Sequence, residues 1–214
     1  MRILIYIILI NFSILNAQTF SIARVNYGGG GDWYCDQSSI PNLLQYLESN
    51  TPISVENEKI HVSMSDENAH QYPYLYLTGH GNIKFTDNEI ISLRSILMNS
   101  GFLHADDNYG MDEYIRPLLK ELFPDQNLQE VPANHEIFRN QFEFPNGLPK
   151  IHEHDAQRPQ ALGIFENGRL LILYTVESDL GDGWESQEVH NDPEEIRLKA
   201  LQMGANIIKY AFEN

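Results

Sequence analysis

A βαβ unit in the middle of the chain is the feature that most constrains its fold. An apolar run, Tyr74–Leu77, ends at Thr78-Gly79-His80-Gly81, and a second, Gly101–Ala105, ends at Asp106-Asp107-Asn108. Short apolar runs that stop at polar turns indicate strands, and a helix signal lies between these two. Strands joined by one helix run parallel, so their carboxyl ends lie at the same edge of a sheet. We therefore expect His80 and residues 106–108 to lie close together, at the edge where open α/β sheets bind ligands.

The helix of this unit has a well-defined start. Thr86 and Glu89 have the spacing of a capping box, and Phe85 and Ile90 occupy the positions of a hydrophobic staple. Apolar residues then recur at helical spacing as far as Leu97, which predicts that one face of the helix packs on the sheet.

Three further segments are predicted to form strands. Phe20–Tyr27 leads into a glycine loop, Lys59–Met64 is a short strand, and Ala161–Phe165 pairs with Leu170–Thr175 across an Asn-Gly hairpin turn. The glycine loop lacks the G-x-G-x-x-G spacing, so it gives little support to dinucleotide binding.

Three more helices are expected outside the βαβ unit. Ser39 can cap one that ends near residue 50, and Asp192 can cap the last one, with Pro193 at its first position. The segment Asp112–Phe123 has a helical pattern, but Pro117 lacks a backbone donor, so this helix either starts later or kinks. The last helix is apolar on two flanks, which indicates deep packing across the sheet.

Two long segments, Phe144–Pro159 and Glu177–Asn191, are polar and are predicted to be loops, while Leu128–Asn140 is ambiguous. The alternation of strands and helices predicts one three-layer α/β domain over residues 18–214. Its sheet is mostly parallel, with an added antiparallel hairpin. No repeat, linker or second domain is evident.

The first 17 residues are predicted to be a secretory signal peptide. Arg2 precedes the apolar run Ile3–Leu15, and Ala17 before Gln18 offers a small-residue cleavage position. The run is short for a membrane span. A periplasmic or secreted protein without a transmembrane span after processing is expected, and an uncleaved N-terminal anchor is the alternative.

Charge and cysteine content narrow the classes of function. From residue 18 onward the chain has 13 basic and 30 acidic residues, a balance of −17. Such a surface repels phosphate backbones, so nucleic acid is not an expected partner. The single cysteine, Cys35, excludes an internal disulfide, and no G-x-S-x-G or G-x-C-x-G nucleophile motif occurs.

Five polar clusters follow apolar runs and contain the candidate site residues. They are Asp32-Trp33-Tyr34, His80, Asp106-Asp107-Asn108, His152-Glu153-His154-Asp155, and Asp179 to Trp184 with His190. On an extended backbone, His152 and His154 share one face and, with Asp155 or a carboxylate from Asp106 or Asp179, could bind a divalent metal. The alternative is that both histidines hydrogen-bond to backbone and order a long loop.

The other clusters have two interpretations each. Asp106 and Asp107 cannot share a face of a strand, so one could be a general base or nucleophile while the other caps the next segment. His80 could carry a proton or close its loop. The aromatic residues Trp33, Tyr34, Tyr109 and Trp184 could stack on a sugar or peptide, or pack at the sheet edge.

Several of these motifs together resemble those of a known family. The matching segments are Ala23-Arg24-Val25 with Gly29 to Tyr34, Tyr76 to Gly81, Gly101-Phe102-Leu103 with Ala105-Asp106-Asp107, Pro149 to Asp155, and Gly181 to Glu185 with Val189-His190 and Asp192-Pro193. Nearly all of the chain after residue 17 resembles the bacterial family known as domain of unknown function 4159. The resemblance implies a flavodoxin-like sandwich of the class I glutamine amidotransferase type, and no established reaction. Where amidotransferases carry a nucleophilic cysteine, this chain has Asp106 or His80.

Three functions are compatible with these patterns. The first is an exported hydrolase-like enzyme that uses Asp and His groups, with a divalent metal as cofactor, on a small sugar or peptide-like ligand. It predicts that His152 or His154 approaches Asp106 or Asp107. The second is a ligand-binding module without catalysis, and the third is a structural accessory protein of the envelope. For a hydrolase we also expect Asp182 and His190 nearby, whereas a binding module would line its cleft with aromatic residues.

Overall fold

The structure is a computed structural model that describes residues 19–56 and 58–214, so the predicted signal peptide lies outside the described residues. The strands form one seven-stranded sheet. They are β1 (Ala23–Asn26), β2 (Ile60–Ser63), β3 (Tyr74–Gly79), β4 (Phe102–Asp107), β5 (Gln129–Glu130), β6 (Gln160–Glu166) and β7 (Arg169–Val176). The helices are α1 (Ser39–Asn50), α2 (Asp87–Met98), α3 (Asp112–Leu122), α4 (Leu180–Trp184), α5 (Gln187–His190) and α6 (Glu194–Glu213).

The sheet has the order β2-β1-β3-β4-β7-β6-β5. Strands β2, β1, β3, β4 and β7 pair in parallel, and β7, β6 and β5 pair antiparallel. The predicted mostly parallel sheet with an added hairpin is confirmed.

Helices cover both faces of the sheet. Along β3, Leu75 and Leu77 point into a core that includes the apolar residues of α2 and α3. Tyr74 and Tyr76 point into a second core with α1, α4 and α6. A strand buried on both faces must be apolar at every position, and this explains the continuous run in the sequence.

The central βαβ unit has the predicted geometry. The Thr86 side chain accepts a hydrogen bond from Glu89 N, and the Glu89 carboxylate accepts one from Thr86 N at 2.8 Å. Strands β3 and β4 then pair in parallel, with Gly79 opposite Asp107 at their carboxyl ends.

Two predicted helix caps are wrong. Ser39 is the first residue of α1, and its hydroxyl donates to Asp36 O at 2.8 Å instead of capping the helix. Helix α6 begins at Glu194, and Asp192 makes no cap because its carboxylate contacts His152. Helix α3 does not start late but continues through Pro117, next to an exposed first turn.

Other boundaries also differ from the prediction. The regular part of the first strand is only β1, because Phe20 forms an isolated bridge with Val55. The predicted loop Glu177–Asn191 contains α4 and α5, and the ambiguous segment supplies β5 and a 3-10 turn, Glu136–Phe138. In the described part of the chain, no helix combines the length and apolarity that crossing a membrane requires.

Candidate functional site

The carboxyl ends of the parallel strands bring the predicted polar residues to one edge of the sheet. Because β3 and β4 are in register, the segments after them, which include His80 and Asn108, leave the sheet side by side. Strand β7 runs parallel to β4 and leads into the segment that carries α4, so its polar residues arrive at the same edge. The predicted convergence of loops is therefore present.

Asp106 is enclosed at this edge. Its carboxyl accepts hydrogen bonds from Gly181 N at 2.7 Å and from the hydroxyl groups of Thr175 and Tyr76. Burial raises the pKa of Asp106 well above its ordinary value. Among the described residues, neither His152 nor His154 hydrogen-bonds to Asp106 or Asp107, although His154 and Asp107 line the same cleft. The carboxyl of Asp106 instead attaches the start of α4 to the sheet.

A buried hydrogen-bond chain behind Asp106 was missed by the sequence reasoning. Thr175 Oγ1 lies 3.0 Å from His104 Nε2, and His104 Nδ1 lies 3.4 Å from the Tyr74 hydroxyl. Burial lowers the pKa of His104 to about 3, so this imidazole is neutral. The one available signal was a histidine within an otherwise apolar strand.

Asp107 points to the opposite face of β4, as the strand alternation requires. Its Oδ1 accepts hydrogen bonds from Tyr109 N at 2.9 Å and Met111 N at 3.0 Å, and its Oδ2 accepts one from the Tyr174 hydroxyl at 3.0 Å. Asp107 thus stabilises the turn that starts α3, in agreement with the capping interpretation.

His152 lies within a group of carboxylates. Its Nδ1 is 3.2 Å from Asp182 and 3.4 Å from Asp179, while its Nε2 is 2.9 Å from Asp192. Hydrogen bonds to Asp179 and Asp182 raise the pKa of His152 to about 11. Only an imidazolium donates from both ring nitrogens, so these contacts favour the protonated form of His152.

His190 faces the same carboxylate from the other side. Its Nε2 is 3.1 Å from Glu185 and 3.5 Å from Asp182, and its ring centroid is 5.1 Å from that of His152. The donor atoms of His152, Asp182 and His190 all lie within 4.8 Å of one another. Two imidazoles and a carboxylate so placed form a three-residue metal-binding geometry.

Of the predicted ligands His152, His154 and Asp155, the two histidines do converge on one carboxylate. His152 Nδ1, at 3.4 Å, and His154 Nε2 both contact Asp179 Oδ2, a carboxylate that the sequence had offered as a third ligand. His154 hydrogen-bonds to Asp179 and stacks on Tyr109 with a centroid distance of 4.7 Å. Asp155 is exposed and accepts from the Tyr109 hydroxyl at 3.3 Å. Neither residue belongs to the group around Asp182.

The loop that carries these histidines is fixed to the end of β7. Ile151 N donates to Ser178 O at 2.9 Å, and the Ser178 hydroxyl donates to Pro149 O at 2.7 Å. Lys150 forms an ion pair with Glu177 at 2.8 Å. Backbone and side-chain contacts therefore position His152 before any ligand binds.

A second polar group lies where β1 and β3 diverge. Asp32 accepts hydrogen bonds from both the backbone N–H and the ring Nδ1 of His80, the latter at 3.0 Å. Although partial burial raises it, these bonds lower the pKa of Asp32 overall. Cys35 lies beside this pair, and burial raises its thiol pKa, which disfavours a thiolate nucleophile. His80 itself is exposed.

Only some of the predicted stacking residues are accessible. Trp184 is buried, donates from Nε1 to Ala200 O at 2.8 Å, and cannot contact a ligand. Trp33 is half-buried and packs against Tyr34. Tyr34 and Tyr109 are 55% and 49% exposed.

A cleft of about 420 Å³ borders the histidine loop. It is lined by Tyr109, Arg116, His154 and Asp155, among others. Asp179 connects this cleft to the group of His152, Asp182 and His190, because it contacts both His154 and His152. Its volume is suited to a small polar molecule.

Fold and site together define an α/β-sandwich protein with a histidine–carboxylate group at the carboxyl edge of its sheet. The model of the family described as Domain of unknown function (DUF4159) matches residues 21–212. The chain therefore belongs to this family, which confirms the resemblance drawn from its motifs. A search of the curated proteins found no match.

Proposed function

We propose that this protein binds a divalent metal ion through His152, Asp182 and His190 and is a metal-assisted hydrolase of a small sugar or peptide-like ligand. The observation that carries the proposal is the spacing of donor atoms. A tetrahedral site with bonds of about 2.0–2.1 Å has donor atoms about 3.3 Å apart. Asp182 Oδ2 lies 3.2 Å from His152 Nδ1, Asp182 Oδ1 lies 3.5 Å from His190 Nε2, and one donor atom from each of the three residues lies within 4.8 Å of the others.

The surroundings of His152 support the same proposal. Metal-binding histidines usually donate their second ring N–H to a carboxylate, which fixes the ring. Asp192 holds this position, with both carboxylate oxygens 2.9 Å from His152 Nε2. His152 Nδ1 is thereby directed at Asp182 and Asp179.

The hydrolytic step needs a proton acceptor and an entry for substrate. A bound divalent metal lowers the pKa of a coordinated water. We assign the acceptance of its proton to the pair His154 and Asp179, which lies between the metal ligands and the cleft. An ion held by His152, Asp182 and His190 would supply the activated water. His154 with Asp179 would return its proton to the leaving group as the water oxygen bonds to the scissile carbon and the bond to the leaving group breaks.

Metal binding is tested first. Purified protein is stripped with a chelator, reloaded with Zn²⁺ or Co²⁺, and analysed for bound metal and for the visible spectrum of Co²⁺. We expect wild type and His70→Ala, a change at an exposed histidine outside the site, to bind metal equally. His190→Ala should lose most of the binding. Equal binding by all three proteins would place the metal elsewhere.

Hydrolysis is tested with chromogenic ester, peptide and glycoside substrates, with and without metal. Metal-dependent turnover that is lost in His154→Ala supports the enzyme. The second candidate function is a ligand-binding module, and the exposed Tyr109 ring stacked on His154 favours it. Saturable ligand binding without turnover in the metal-loaded protein would select that candidate.

We also propose that the protein is exported, on the strength of the apolar run after Arg2. Sequencing of the N-terminus of protein recovered outside the cytoplasm should begin near Gln18. An N-terminus that retains Ile3–Leu15 in a membrane fraction would instead indicate an anchor.

A further inference from the structure

Asp182 belongs to two groups of potential metal ligands. On one side it lies with His152 and His190, and on the other with Asp36 and Glu185. In each group the donor atoms are within 4.8 Å of one another. The second group contains only carboxylates, so it needs independent support before it can be assigned a ligand.

Asp36 supplies that support. Asp36 is only 8% exposed, and its Oδ1 accepts a hydrogen bond from Asn108 Nδ2 at 3.1 Å. Its Oδ2 is buried and has no hydrogen-bond partner. This oxygen faces the start of α4, because a Cβ on Gly181 would lie 2.9 Å from it. A buried carboxylate oxygen of this kind, close to the carboxylate of Asp182, needs either a proton shared between the two groups or a bound cation.

Glu185 is held in a similar way. Its Oε1 accepts hydrogen bonds from Ser38 N at 3.2 Å and Ser38 Oγ at 3.1 Å, which leaves Oε2 facing His190 at 3.1 Å. Asp182 Oδ1 is also buried and has no hydrogen bond among the described residues, although it lies 3.5 Å from His190 Nε2. In Asp36 and Glu185 one oxygen is fixed by a neighbouring donor, as outer-shell partners fix metal ligands.

The basic side chains that contact these three carboxylates are histidines: His152 and His190 contact Asp182, and His190 contacts Glu185. Among the ion pairs of the described residues, none joins a lysine or arginine to Asp36, Asp182 or Glu185. Arg24 is nearby, but its guanidinium donates to the backbone oxygen of Asp36 at 2.9 Å. Arg197 similarly donates to the backbone oxygen of Glu185. Buried carboxylates at such spacing require protons or a cation.

We infer that a second divalent cation binds between Asp36, Asp182 and Glu185, and that Asp182 bridges it to the ion held by His152 and His190. The inference rests on the proposed first site and adds a carboxylate-bridged dinuclear centre. The second position offers only oxygen ligands, so it takes a hard cation of the Mn²⁺ or Mg²⁺ class. Mn²⁺ also accepts imidazole ligands and can therefore report on both positions.

A dinuclear centre narrows the class of substrate. Two adjacent cations bind both the attacking and the leaving oxygen of a displacement at phosphorus, or a carbonyl and an amine of a peptide terminus. The polar cleft beside His154 is compatible with such a small anionic or zwitterionic molecule. Neutral glycosides are then poor substrates.

Mn²⁺ stoichiometry and EPR spectroscopy test the inference on the full-length protein. Wild type should bind two Mn²⁺ per chain and show an exchange-coupled spectrum. Asp36→Asn should bind one Mn²⁺ and show the uncoupled six-line spectrum. Glu188→Gln, a change at an exposed carboxylate of α5 outside both groups, should behave as wild type. If Asp36→Asn does not fold, Glu185→Gln is used, with the same expectation of one bound ion.

The outcomes separate the two proposals. One Mn²⁺ in wild type that is lost in His190→Ala would overturn the dinuclear centre and leave the first site intact; Asp36 and Asp182 would then share a proton. No bound Mn²⁺ or Zn²⁺ in wild type would overturn both proposals. Two Mn²⁺ in wild type and in Asp36→Asn would overturn the assignment of Asp36.

Discussion

Asp106 and Asp107 are adjacent in sequence but have opposite surroundings. Asp106 faces the start of α4 and is fully buried, whereas Asp107 faces the first turn of α3. Strand alternation requires this separation, and it assigns different physical roles to two identical side chains. Burial raises the pKa of both carboxyl groups, that of Asp106 well above its ordinary value, and Asp107 accepts hydrogen bonds from two backbone N–H groups.

Asp106→Asn is expected to stabilise the protein more as the pH rises. The pKa of Asp106 in the folded protein lies above the unfolded value of about 3.9. Its contribution to the free energy of unfolding is therefore complete below pH of about 3.9 and decreases as the pH rises toward the folded pKa. A neutral amide at position 106 does not ionise, so the variant keeps its stability as the pH rises. In wild type the loss in the free energy of unfolding is at most about 1.4 kcal/mol per pH unit. Urea unfolding of both proteins at pH 5 and pH 8 measures the difference.

The control for this prediction is Asp125→Asn, which removes an exposed carboxylate. It should change the pH dependence of unfolding little. If the free energies of unfolding of Asp106→Asn and wild type differ by the same amount at pH 5 and pH 8, Asp106 is ionised in the folded protein.

Gly181→Ala tests how closely the start of α4 approaches the sheet. An added Cβ would lie 2.6 Å from the Tyr76 hydroxyl and 2.9 Å from Asp36 Oδ2, both buried. We expect a loss of about 1–3 kcal/mol in the free energy of unfolding, because overpacking forces these groups apart. Thermal unfolding measures the loss. Gly181 does not have a positive φ, so the loss reports crowding and not the strain of a left-handed backbone.

At the scale of elements, the segment from β7 to α6 carries most of the candidate site. Glu177, Asp179 and Asn191 all have left-handed backbone conformations, with φ near 60°. Non-glycine residues adopt this conformation at a cost, which is commonly found at functional sites. Asp179 is also fully buried with one carboxylate oxygen unpaired. The strain is concentrated where the carboxylates converge.

Asp192→Ala is expected to weaken metal binding without unfolding α6. Asp192 orients His152 and does not cap the helix, so its loss should reduce metal affinity by about 10–100-fold. Competition with a chromogenic chelator gives the affinity, and far-UV circular dichroism gives the helix content. Glu194→Ala, at the exposed first residue of α6, should leave the affinity unchanged. Lower helix content in Asp192→Ala with unchanged affinity would restore the capping interpretation.

The failed and successful helix caps show what local sequence can establish. Thr86 and Glu89 are three residues apart, and their reciprocal bonds form as the pattern predicts. The Asp192-Pro193 pattern is equally local, yet Asp192 bonds to His152, which lies 40 residues earlier. No local pattern contains that partner. Boundaries set by short-range bonds were therefore predictable, and those changed by long-range contacts were not.

Asp107→Ala is expected to destabilise the protein by about 1–3 kcal/mol, because two backbone N–H groups at the start of α3 lose their acceptor. Asp107→Asn keeps one acceptor oxygen and should cost less. Urea unfolding measures both changes. The number of metal ions bound per chain should be unchanged in either variant, because Asp107 faces away from the group formed by His152, Asp182 and His190. A loss of bound metal would show that the two faces of β4 are coupled.

At the scale of the whole molecule, the sheet order explains how distant residues meet. The βαβ unit and the hairpin were predictable because each consists of consecutive elements. The position of β7 beside β4 was not, since 61 residues separate Asp107 from Arg169 and the pairing involves no local signal. That pairing brings Asp179, Asp182 and His190 to the same edge as residues 106–108. These residues, with Asp179 as a partner of His152 and His154, were therefore predictable as candidates, whereas the contact of His152 with Asp192 was not.

The raised pKa of His152 predicts that metal binding at the proposed site depends on pH. The folded pKa of about 11 lies above the ordinary value of about 6.5, so the ion pairs of His152 stabilise the metal-free fold fully below pH 6.5 and are lost as the pH rises toward 11. Metal must displace this proton, so the dissociation constant should fall up to about tenfold per pH unit between pH 6 and 8. Isothermal titration in buffers of different ionisation enthalpy should detect about one proton released per metal at the first site. His70→Ala should give the same slope as wild type. A dissociation constant that does not change between pH 6 and 8, with no proton released, would show that His152 Nδ1 is not a ligand.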